Sequence, residues 1–75
     1  MNRMVTIDGW KFLLVNNDGD MFYQCRGAVE EGILEIPERG LWKAALQLEN
    51  DLIRAGMNAE ASHSEKGWVK VNIIN

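Results

Sequence analysis

The sequence has little of what ties a small fold together from within. Its 75 residues include one cysteine, one histidine and one proline. Cys25 alone cannot form an internal disulfide. Cys25 and His63 together fall short of the four ligands that a structural zinc takes. A chain this short buries only about 60% of the surface that its unfolded form exposes. Domains of this size commonly depend on a disulfide, a metal or a partner. The composition leaves the third route, association with itself or with another protein, and no metal or cofactor is expected.

Three further absences narrow the function. No apolar run approaches the roughly 18 residues of a membrane span. The opening "MNRMVTIDGW" breaks at Asp8-Gly9, before the apolar core of an export signal could form. A lone thiol without such a signal points to a reducing cytoplasm. A basic stripe is also missing. Eight Lys and Arg stand against eleven Asp and Glu, a net charge of -3, and the basic residues are scattered singly from Arg3 to Lys70. Proteins that grip phosphate backbones usually concentrate such residues, so nucleic-acid binding is disfavoured. There is no glycine-rich phosphate loop, no CxxC and no HExxH.

What is present reads as one α+β domain over residues 1–75. "MVTI" and "WKFLLV" flank Asp8-Gly9, a two-residue hairpin signal that sets Ile7 against Trp10 and Val5 against Phe12. The run Trp10 to Val15 is apolar on both faces, the pattern of a strand covered on both sides. "NNDGD" is turn chemistry, "MFYQCRG" a second strand, "AVEEG" a loop and "ILEIP" a short third strand. Pro37 falls at a turn or near the first position of a helix. The apolar period then predicts a helix over 41–55, with Arg54 in its last turn and Gly56 just past its end. Residues 57–67, "MNAEASHSEKG", show no period and read as a mobile loop. "WVKVNIIN" closes the chain as a strand near 68–74. The expectation is an antiparallel meander of three to four strands, one helix and a C-terminal strand, in two layers.

The helix carries more apolar surface than one sheet needs. Leu41, Ala44, Ala45, Leu48, Leu52 and Ala55 form one arc. Trp42, Leu46 and Ile53, with Glu49 among them, form a second stripe beside it. Together they span about 200°, twice the usual width for a surface helix. Three coverings compete: the segment 57–67 or the N-terminal segment folded over Trp42, a second copy of the chain, or a different protein. Tryptophan is enriched in interface hot spots, which favours the last two. Trp42, Leu46, Glu49 and Ile53 are therefore the candidate protein interface.

Other constellations are weaker. "NNDGDM" has alternating oxygen ligands, but its glycine is misplaced for a calcium loop and no Glu closes it. Glu30, Glu31, Glu35 and Glu38 make a solvated acidic edge. Ser62 or Ser64 beside His63 are neighbours on a loop, which does not make a catalytic triad. Cys25, mid-strand, reads as packed and inert. Tyr23, Phe12 and Phe22 could offer a base-stacking sheet, against which the acidic balance argues.

In order of elements the chain resembles the truncated ribonuclease H-like core that some small antitoxins use. The resemblance implies a right-handed crossover that sets the last strand parallel to the first strand of the meander. "WKFLLV" lacks the metal-binding carboxylate of such nucleases, so no nuclease activity is implied. The expected function is a small non-enzymatic, cytoplasmic interaction module, in the style of phage and mobile-element inhibitors of host systems. The alternative is a small transcriptional or nucleic-acid-associated regulator.

Overall fold

The computed structural model describes residues 3–28 and 37–74. Its elements run β1 (Met4–Ile7), β2 (Trp10–Asn17), β3 (Asp20–Arg26), α1 (Arg39–Arg54), β4 (Asn58–His63) and β5 (Trp68–Ile74). A short 3₁₀ turn, Glu65–Gly67, joins the last two strands. The strands form one sheet in the order β1-β2-β3-β5-β4, and every neighbouring pair is antiparallel. This is an α+β fold with a meander and a C-terminal strand, as the patterning predicts. The expected strand "ILEIP" lies, up to Pro37, outside the described residues.

Local chemistry sets the turns. Asp8 and Gly9 both have positive φ, at 49° and 83°, and Ile7 pairs with Trp10 across them. Asp18 and Gly19 repeat the device, at 51° and 91°, with Asn17 opposite Asp20. Both are the geometry that a two-residue hairpin needs to match the twist of its strands. The helix ends on Gly56 at φ 91°, with Met57 N–H bonded to Leu52 C=O and Gly56 N–H to Ile53 C=O. That pair of bonds is a Schellman cap. At the other end the helix starts at Arg39, two residues before the apolar period does. Glu38 takes the N-cap position, but no side chain caps the first turn. Its Oε1 instead accepts the Ala28 N–H at 2.7 Å, tying the exit of β3 to the helix start.

Two expectations are corrected. Residues 57–67 are not a loop: Asn58–His63 is a strand that pairs with β5 from Asn58↔Ile74 to His63↔Val69. Its two inward positions are Ala59 and Ala61, too small to give an apolar alternation, and its outward ones are polar. The ribonuclease H-like crossover also fails. β5 lies antiparallel beside β3, with Tyr23 opposite Val71, so no parallel pair exists among the described strands.

Among the described residues the core lies on one side of the sheet. Phe12, Tyr23, Cys25, Val69 and Val71 turn that way and pack with Leu41, Ala44, Ala45 and Leu48 of α1. Ala44 and Ala45 are fully buried, so the helix axis can sit close to the strands. Principal dimensions of 37 × 27 × 17 Å describe a slab, thick enough for one sheet and one layer of helix. Gly27 shows how tight the join is. A Cβ there would lie 2.9 Å from Cδ2 of Leu41, and Leu41 is itself fully buried. Gly27→Ala should therefore lower stability by about 1–3 kcal/mol through overpacking, read as a fall in the urea midpoint. An unchanged midpoint would show that Leu41 has room to retreat.

Candidate functional site

The face of the sheet turned away from α1 has no second layer among the described residues. The register sets Met4, Leu13, Gln24, Lys70 and Ser62 in one row across all five strands. Val15, Phe22, Asn72 and Glu60 form the next row, and Arg26 pairs with Trp68 on the other side. Met4 and Leu13 are 51% and 50% exposed, and Ile74 is 47%. Val15, Phe22 and Trp68 are partly buried. The double-sided apolar pattern of Trp10 to Val15 thus misleads in one respect. Its Leu13 side, expected to be covered, is open.

Three cations share this face. Lys70 Nζ sits 4.7 Å from the centre of the Phe22 ring, and Arg26 Cζ lies 5.7 Å from that of Trp68. Such contacts contribute about 0.5–1 kcal/mol at exposed sites and hold the cations flat against the sheet. Arg26 Nε also donates to the Lys66 carbonyl at 3.1 Å, which fixes its guanidinium over the indole. Lys11, opposite Thr6, points the same way and is exposed. The acids described on this face, Asp20 and Glu60, lie at a strand end and on the edge strand. An acidic chain has therefore gathered positive charge on an apolar surface. Beside it, an open depression of about 650 Å³ is lined by Asn17, Asp20, Phe22, Lys70 and Asn72 among others.

The four interface candidates on α1 divide into two pairs. Trp42 is partly buried, and the His63 ring at the end of β4 meets it edge-on at 5.3 Å. Glu49 Oε2 accepts the Ala61 N–H at 2.6 Å. Both thus hold β4 against the helix. Leu46 and Ile53 stay exposed, with Met57 beyond the helix end exposed as well. The segment 57–67 covers the inner part of the stripe and leaves its outer margin free.

The remaining candidates are placed as follows. Phe12 and Tyr23 are buried beneath the helix, so of the three suggested base-stacking rings only Phe22 reaches the open face. Trp68 is the aromatic partner that the sequence reading missed. Its signal was there: in "WVKV" the valines take one face and Trp68 and Lys70 the other. Glu30, Glu31 and Glu35 lie outside the described residues. "NNDGD" is a hairpin turn, in which Asn16 Oδ1 accepts the Gly19 N–H. Cys25 is buried, and burial pushes its thiol above the ordinary value despite backbone hydrogen bonds at Arg26 and Lys11 that pull it down. Among the described residues no three His, Cys, Asp or Glu gather as metal ligands would.

Comparison with protein-family models, with curated proteins and with solved structures finds no match to this chain.

Two outcomes test this geometry. Glu49→Ala should cost about 1–2 kcal/mol and speed hydrogen exchange at the Ala61 amide; unaltered exchange there would rule out the bond. The raised Cys25 value means that the folded state favours the neutral thiol. Its contribution to stability is present below the thiol's unfolded value and is lost as pH rises through the folded one. Urea unfolding on either side of that window should show a loss in wild type that Cys25→Ala lacks.

Proposed function

We propose that this chain is a non-enzymatic protein-binding module that docks its partner on the open face of the sheet. One observation carries the reading. Met4, Leu13, Val15, Phe22, Trp68 and Ile74 share with Lys11, Arg26 and Lys70 a sheet face that no other described element covers. Exposed apolar area of this kind, rimmed by charge, marks interaction sites more often than bare solvent contact. Its positive charge selects a partner that presents carboxylates around an apolar centre. Arg and aromatic side chains are also the types that dominate binding energy when desolvated. The exposed margin of α1, Leu46 and Ile53, is a second surface for the same role. A cytoplasmic inhibitor that acts by occluding a host protein belongs to the same proposal. There the lone Cys25 would stay reduced.

The rival reading, a nucleic-acid-associated regulator, draws on the same three cations and two rings. Against it, each ring already carries one of the chain's own cations, and the net charge is -3. Bases would have to displace those cations in order to stack.

A photo-crosslinking side chain placed at position 13 in producing cells should trap a partner protein, whereas one at Gln47 on the solvated helix face should not. Equal trapping at both positions, or none at position 13, would end this reading. Titration with a single-stranded oligonucleotide at physiological salt should leave tryptophan fluorescence unchanged. Tight binding with a steep salt slope would promote the regulator instead.

A further inference from the structure

The two edges of the sheet are unlike. On β4 the outward Ala61 N–H is taken by Glu49 Oε2, so a helix carboxylate occupies the place where an incoming strand would bond. Among the described residues no such guard stands on β1. Its alternation follows from the hairpin: Leu14 N–H donates to Arg3 C=O at 2.6 Å, which puts the inward bonds at Arg3, Val5 and Ile7. Met4 and Thr6 therefore point their N–H and C=O groups away from β2. No described group bonds those outward atoms. Met4–Ile7 carries no charge and no proline, the usual devices that blunt an edge.

We propose that β1 pairs antiparallel with β1 of a second copy about a two-fold axis at Val5, joining two sheets into one of ten strands. In that register Met4 of each copy faces Thr6 of the other. Both outward N–H groups and both outward C=O groups of each strand are then satisfied at once, in four hydrogen bonds. A four-residue strand has no other antiparallel register with itself that does this. The flanking side chains agree with it. Met4, half-exposed at this edge, would stand opposite Thr6 of the second copy and diagonally beside its Met4 on the open face, with Leu13 behind it on β2. Assembly also stops at two. The edges left over are the β4 edges, each guarded by its own Glu49, so the contact closes as a dimer and does not propagate.

Thr6→Pro tests this selectively. The Thr6 N–H points outward, so proline there removes ladder bonds to the second copy and leaves those between β1 and β2 in place. Light scattering over a dilution series should give wild type at twice the chain mass. It should give Thr6→Pro a dissociation constant raised about tenfold or more, with an unchanged far-ultraviolet spectrum. Thr6→Ala should dimerise as wild type does. Should the proline variant misfold, wild-type hydrogen exchange decides. The Met4 and Thr6 amides should be protected when concentrated and exposed on dilution. A wild type that stays monomeric into the millimolar range overturns the proposal. So does a dimer that survives Thr6→Pro and is dispersed by Ile53→Lys, which would put the seam on α1.

Discussion

Everything in this molecule depends on one helix being laid closely on one side of a sheet. Ala44 and Ala45 make that approach possible, because a larger side chain at either would lift α1 away from Val69, Val71 and Phe12. The four buried helix residues and the five buried strand residues form a single cluster. At about 25 cal/mol per Å² such a cluster is the main favourable term for a chain of this length. It also commits the only described helix. Having covered one face, the chain has nothing left among its described elements with which to cover the other.

That constraint explains why the polar contacts fall where they do. Glu38 at the N-cap and Glu49 within the helix each receive a backbone amide from another part of the fold, Ala28 just past β3 and Ala61 of β4. They tie the ends of the apolar contact, where packing alone is thin. The open face has no helix among the described elements to supply such bonds. There the fold uses cations laid over rings, Lys70 on Phe22 and Arg26 on Trp68, which shield apolar surface without a second layer.

Much of this was legible in the residues and some was not, for identifiable reasons. The Asp-Gly pairs declare two-residue turns because so few sequences tolerate successive positive φ, and both turns form. The helix announced itself through leucine and alanine at helical spacing and through Gly56. β4 stayed hidden because its inward residues are alanines, whose burial carries almost no apolar signal. Strand order was hidden for a different reason. Whether β5 joins beside β2 or β3 depends on which side chains meet across a gap of some forty residues, and no local pattern records that. The open face was hidden because a doubly apolar strand reads alike whether its second face meets a core or a partner. Of the candidate interface, the outer margin at Leu46 and Ile53 was visible as excess width, while the part that Trp42 and Glu49 play in holding β4 needed coordinates.

The strand order has a kinetic side. β1, β2 and β3 are joined by two-residue turns, and α1, β4 and β5 follow one another directly, so each half assembles through contacts close in sequence. Of the strand pairings, the ladder from Met21↔Ile73 to Arg26↔Trp68 is the one that links them, across the middle of the sheet, and it forms together with the packing of α1 on Phe12, Tyr23 and Cys25. Closing it means ordering nearly all the intervening chain, the step with the largest loop-closure entropy. The β3–β5 ladder is thus the natural rate-limiting event. Until it forms, each half exposes one long, unpaired strand edge that fits the missing half of any other copy equally well.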